Sequence, residues 1–215
     1  MLRRTTLLAI GLALAMPSVA AAGTVQFNPP VPCLQEGLKY GIVGSGFSPE
    51  VNVSIGGGKS LHTDSSGAFA SEPTDGLLAP EYDSLTPTTV NLTVEDPLNP
   101  ALNTTLSFME VEFGSNLPVN GKPSKVVTWQ FAGFLNNAPI YAHYLYERKE
   151  KRTVRFGAGQ GPCGTLTKRA MRFPIKKPKN FGTWEIRVDS NPKWVKNSES
   201  LDETSFNVAK PRRKG

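Results

Sequence analysis

Basic side chains are almost missing from residues 23–120, which hold Lys39 and Lys59 against 11 acidic residues, a net charge of −9. Histidine and cysteine are scarce throughout, with two of each in 215 residues. Two isolated histidines and no Cys-x-x-Cys pair leave no zinc site to assign. No nucleophile, base and orienting group form a catalytic pattern either, so the chain reads as non-enzymatic with no cofactor. Helical periodicity is not sustained beyond residue 22, which argues against a helical fold. After that point no apolar run approaches the ~20 residues of a membrane span, so no integral membrane segment is expected.

What is present begins with an export signal. Arg3 and Arg4 precede an apolar run from Leu7 to Met16 and the small residues Ser18 to Ala22. Residues 1–22 therefore read as a cleaved signal peptide, and the mature chain as secreted or associated with the cell surface. The arginine pair also permits a twin-arginine route, but without the rest of that motif the general secretory route is preferred.

Residues 121–215 reverse the charge, with 20 Lys or Arg against 7 Asp or Glu, a net +13. Such asymmetry points to an anionic partner or to docking between the halves. The candidate ligand-binding residues are Arg148, Lys149, Lys151, Arg152 and Arg155 around an expected hairpin, then Lys168, Arg169, Arg172, Lys176 and Lys177 after Cys163. Tyr141, Tyr144, Tyr146 and Trp194 are candidate aromatic contacts, and the basic tail at 210–215 adds to the same field. Export favours an anionic cell-envelope polymer or acidic polysaccharide over nucleic acid, bound by many salt-sensitive contacts. A merely solubilising surface is the competing reading, because charge alone specifies no ligand.

Local alternation predicts β-strands. Val51, Val53 and Ile55 alternate with polar residues, as do Val90, Leu92 and Val94, then Val127, Trp129 and Phe131, then Trp184, Ile186 and Val188. In the last run Glu185, Arg187 and Asp189 are expected on a solvated face. Frequent glycine and proline between short strands favour sandwiches. The predicted fold is all-β, with two antiparallel sandwich domains at 24–117 (acidic) and 122–209 (basic, with an insertion). Cys33 and Cys163 are expected to form a disulfide in an oxidising compartment, with two free thiols as the alternative.

A weak repeat supports two related units. Gly44-Ser45-Gly46-Phe47-Ser48-Pro49 leads into one strand, and Phe131-Ala132-Gly133-Phe134 leads through a turn into Ile140 to Tyr144. The Asp64 to Phe69 turn finds a looser counterpart in Asn180 to Trp184, which implies a long insertion in the second unit. The stretch from Gly44 to Phe69 resembles the immunoglobulin-like repeats of secreted bacterial surface proteins. Tyr141 to Tyr144, Gly161 to Gly164 and Gly182 to Trp184 resemble a module that follows such repeats in exported actinobacterial proteins. The resemblance implies an immunoglobulin-like scaffold for adhesion, spacing or surface binding, with no catalytic residues to carry over.

Other chemistries fit less well. Cys163 with His143 or His62 lacks an orienting group and an oxyanion hole, and His143 among tyrosines reads as a hydrogen-bonded structural histidine. Asp64 lacks the repeated carboxylates of a calcium loop. The resulting expectation is an adhesion or envelope-binding protein using its basic half. A neutral carbohydrate-binding module, a structural spacer that takes a protein partner, and, less favoured, a small hydrolase are the alternatives.

Overall fold

The computed structural model describes residues 22–36, 38–56, 58–73, 84–117, 122–175, 180–195 and 202–209. All of the expected signal peptide except Ala22 lies outside the described residues, as do the 210–215 tail and Lys176 and Lys177. The described chain is all-β, with a short 3-10 turn at Pro100–Leu102. No helix among the described residues is long and apolar enough to cross a membrane.

The first half forms two sheets. Strands β1 (Thr24–Asn28), β3 (Gly41–Ser45) and β6 (Phe69–Ala70) make one, in the order β1-β3-β6. The other contains β2 (Cys33–Gln35), β4 (Asn52–Ile55), β5 (Lys59–His62), β7 (Thr88–Glu95) and β8 (Thr104–Val111), in the order β2-β8-β7-β4-β5. Among the described strand pairs of this half, only β2–β8 is parallel. In the second half, β9 (Gly114–Asn116), β10 (Val126–Ala132) and β13 (Leu166–Met171) pair as β13-β10-β9. Strands β11 (Pro139–Tyr146), β12 (Lys149–Ala158), β14 (Gly182–Asp189) and β15 (Asp202–Val208) pair as β12-β11-β14-β15.

These two arrangements are the same. Strands β1, β3 and β6 correspond to β9, β10 and β13, while β4, β5, β7 and β8 correspond to β11, β12, β14 and β15. Each is a three-on-four sandwich of the immunoglobulin-like kind, and β2 is an extra strand of the first. The period-2 pattern explains which faces are buried. Val53, Ile55, Leu92 and Val94 enter the first core with Phe27, Ile42 and Phe47, while Asn52, Ser54, Thr93 and Glu95 stay exposed. The second core is more aromatic, with Trp129 and Phe156 ring centroids 4.6 Å apart and those of Phe173 and Trp184 4.8 Å apart.

The repeat is real, but its second landmark is elsewhere. Phe47 N–H donates to the Gly67 carbonyl at 3.1 Å, and Phe134 N–H donates to the Gly164 carbonyl at 3.2 Å. Gly67 and Gly164 both have positive φ, 77° and 58°, and a Cβ on either would run into the carbonyl of Phe47 or Phe134. The counterpart of the Asp64 turn is thus Gly161 to Gly164, not Asn180 to Trp184. The expected insertion is instead strand length, since β11 and β12 have 8 and 10 residues where β4 and β5 have 4 each.

Two carboxylates fix turns in the first half. Hydrogen bonds to the Asp64 carboxylate, led by the Ser66 hydroxyl and joined by the Ala68 and Ser66 amides, lower its pKa. Burial pushes Asp96 the other way, but donation from the Ser48, Asn99 and Leu98 amides outweighs it and leaves the pKa below its ordinary value.

Strand β9 lies at the junction between the two cores. It pairs with β10 in the sheet of the second core, and only Glu112 and Phe113 separate it from β8. A small apolar seam spans this junction, formed by Cys33 and Val111 with Ala132 and Cys163, and by Leu85, Met109 and Leu135. Cys33 and Cys163 are joined by a disulfide with a Cα–Cα distance of 5.2 Å, tying β2 of the first sandwich to the β12–β13 turn of the second.

Candidate functional site

Strands β12 and β13 lie at the edges of different sheets, yet they follow one another in sequence and touch where Leu166 and Lys168 pass Gly157 and Phe156. The Lys168 ammonium on β13 donates to the Phe156 carbonyl on β12 and so clasps the two edges together. Phe156 is free for this because the β11–β12 register shifts between Ile140 and Tyr141, leaving Phe156 out of the pairing. A second shift between Tyr144 and Leu145 leaves Lys151 out in the same way. The β11–β12 hairpin closes with Glu147 and Arg148 at φ values of 50° and 58°. That is the signature of a two-residue type I′ turn, a conformation normally given to Asn-Gly.

Arg148, Lys149, Lys151, Arg152, Arg155, Lys168 and Arg169 are all exposed on this pair of edges. No carboxylate among the described residues forms an ion pair with any of the seven. Glu150 sits among them, but its carboxylate is turned toward His143 and Thr153. Lys122 and Lys125, which sequence reasoning missed, are exposed at the same end. The Arg172 amide and guanidinium donate to the Lys125 and Lys122 carbonyls at 3.0 and 3.2 Å, which brings that turn alongside β13. Only the long-range β10–β13 pairing brings it there, so no local signal marks it.

Two candidates leave the site. Arg172 is 4% exposed and serves the Lys122 turn rather than the surface. Tyr144 is fully buried in the second core, where its hydroxyl donates to the Arg172 carbonyl at 3.2 Å. Burial drives the Tyr144 pKa far above its ordinary value, with the nearby Arg152 charge pulling weakly against it. Tyr146 is half-buried, packed on Trp184, and its hydroxyl donates to the Phe181 carbonyl. Trp194 is half-buried as well, with the Arg187 guanidinium carbon 5.9 Å from its ring centroid.

The outer face of the β12-β11-β14-β15 sheet departs from the expected solvated pattern. Glu185, Arg187 and Asp189 do point away from the core, but Asp189 is 2% exposed and His143 beside it is fully buried. His143 Nε2 faces two acceptors, Asp189 Oδ1 at 3.1 Å and the Asn191 carbonyl at 3.2 Å, so it carries a proton and donates. Nδ1 lies 3.1 Å from Glu150 Oε1 and 3.0 Å from Thr153 Oγ1. The histidine thus ties the end of β14 across β11 to the edge strand β12. Thr153, His143 and Asp189 share the connectivity of a nucleophile, base and acid, but an imidazole without exposed surface has no room for a substrate. Among the described residues no group of three or more His, Cys, Asp or Glu side chains could hold a metal ion.

Strand order and core define a disulfide-stapled pair of immunoglobulin-like sandwiches carrying a basic double edge. No family model matches the chain, and no curated protein matches it in sequence. Among solved structures it is similar to a tetra-tandem repeat in the extending region of a large adhesion protein, with TM-score 0.29 and 11% identity, covering 86% of this chain and 49% of that one. It is also similar to a DUF3823 family protein from Bacteroides ovatus, with TM-score 0.27 and 10% identity, covering 88% of this chain and all of that one. Superpositions this loose add nothing to what the strand order establishes.

Proposed function

We propose that this is an exported, non-enzymatic envelope-binding protein that holds an anionic surface polymer along the β12–β13 edges. The observation that carries the reading is that the edge strands of two sheets, with the hairpin turn at one of them, present seven exposed cations, none ion-paired to a carboxylate among the described residues. Edge strands do use lysine and bulges to discourage aggregation. That role concerns the two edge strands alone. It accounts neither for Lys122 and Lys125 at the same end nor for an arginine held in a left-handed turn. The disulfide supports an extracellular, oxidising location.

Cosedimentation with isolated cell envelopes and purified anionic polymers across a salt series tests the proposal. The apparent affinity is expected to fall by about 10³-fold between roughly 50 and 200 mM salt, because releasing bound counterions gains less as the bulk salt rises. Binding that is indifferent to salt, or absent at low salt, removes the basic edges as the working surface.

The turn offers a second test. Replacing Glu147 and Arg148 with Asn and Gly relieves the left-handed backbone, so unfolding in urea is expected to show a gain of about 1 kcal/mol. Polymer affinity is expected to drop in the same variant, because Arg148 leads the basic edge. A more stable variant that binds as well as the parent excludes the hairpin tip from the site.

A further inference from the structure

We infer that the anionic polymer is an acidic polysaccharide, whose sugar ring rests on Tyr141 while its carboxylate is held by Arg155. This rests on the reading of the basic edges as a binding surface and narrows its ligand class. Tyr141 and Arg155 are register partners on β11 and β12, so their Cβ atoms lie about 5 Å apart on one face. That face is the outer one, because Ile140 and Ala142 on either side of Tyr141 are buried in the core. Arg155 is exposed and Tyr141 is half-exposed.

The hydroxyls distinguish Tyr141 from the other described tyrosines. Tyr40 accepts from the Gln35 amide, Tyr144 donates to the Arg172 carbonyl and Tyr146 donates to the Phe181 carbonyl. Tyr141 forms no hydrogen bond among the described residues, so no polar contact within the protein fixes its ring, and the ring face is what it offers a ligand. On its other side Asp189 is its β14 partner, but Asp189 Oδ1 is spent on His143 Nε2 and the Asn191 amide. Asp189 is buried at 2% exposure whereas Arg155 is exposed, so Arg155 is the charged group of this row that solvent and a ligand can reach.

An aromatic ring beside a guanidinium recognises two features at once. The ring offers a flat apolar plate to the C–H face of a pyranose, and the guanidinium offers paired donors to a carboxylate. An acidic sugar carries both features in one residue. A linear phosphate polymer has the charge but no ring face, and would engage the cations while leaving Tyr141 unused.

The test compares polygalacturonate with polyphosphate at equal ionic strength, using the purified full chain and its Tyr141→Ala and Tyr141→Phe variants. Tyr141→Ala is expected to weaken polygalacturonate binding about tenfold and to leave polyphosphate binding unchanged, while Tyr141→Phe keeps most of the affinity. Circular dichroism melts of both variants separate lost binding from lost folding, and the Phe variant serves as the folded reference. If Tyr141→Ala weakens both polymers equally or neither, the polysaccharide assignment is overturned while the basic-edge reading stands. If the parent chain binds neither polymer at low salt, the basic-edge reading fails and this inference falls with it.

Discussion

Reversing Arg148, Arg152, Arg155 and Arg169 to glutamate should abolish polymer binding, with a loss on the order of 10³-fold at low salt. Each substitution removes one attraction and adds one repulsion, and an exposed charge contact contributes up to about 1 kcal/mol by itself. The fold should survive, because all four side chains are exposed and none is ion-paired among the described residues. Stability changes of roughly 0.5 kcal/mol per site are expected. Arg172→Glu makes an instructive contrast. It places an acidic group where a buried guanidinium donates to the Lys122 carbonyl, so it should unfold the second sandwich rather than merely weaken binding. Equilibrium binding alongside thermal melts separates the two cases. Unchanged affinity in the fourfold variant would eliminate the proposed surface.

The second large effect concerns the disulfide. A Cys33→Ala/Cys163→Ala variant is expected to lose about 5 kcal/mol, from the loop-closure entropy of a bond spanning 130 residues. That is comparable to the whole stability of many domains. Because the bond joins two separate cores across a small seam, its loss should also change the form of unfolding. The oxidised chain should melt in one transition, and the variant in two, as each core gives way independently. Urea titrations followed by tryptophan fluorescence report on the second core in particular, because Trp129 and Trp184 lie there. A variant with the parent's midpoint and a single transition would show that the seam holds without the bond.

Strand identity was legible because it is a local property. Val53 and Ile55, or Trp184, Ile186 and Val188, bury one face through alternation alone, and neither tertiary contact nor partner strand is needed to see it. Two cysteines allow only one intramolecular bond. Facing and register were harder. Tyr144 and Tyr141 sit on the same strand and look alike, but the parity set by neighbouring core residues buries one and presents the other. Arg172 belongs to a basic run in sequence, and only the contact with the Lys122 turn withdraws it from the surface. Strand β9 is Gly-Ser-Asn with no apolar pattern, so its pairing with β10 has no sequence signature. The same holds for the Gly164 counterpart of Gly67, which is displaced because β11 and β12 are longer than β4 and β5.

The Cys33–Cys163 bond also redirects mechanical load. A pull applied between β1 and β15 reaches Cys33, crosses two sulfur atoms and leaves through Cys163, so the chain between them carries no tension while the bond is intact. Only the short segment before Cys33 and the chain after Cys163 can pay out, about 190 Å at full extension, against about 640 Å for the reduced chain. The basic strand β12 and most of both cores lie inside the shielded loop, whereas β13, β14 and β15 lie outside it. Under tension, β15 and β14 can peel away from β11 while the β11–β12 hairpin stays pinned to the first sandwich, so the edge carrying Arg148 to Arg155 keeps its anchor after part of its own sheet is lost.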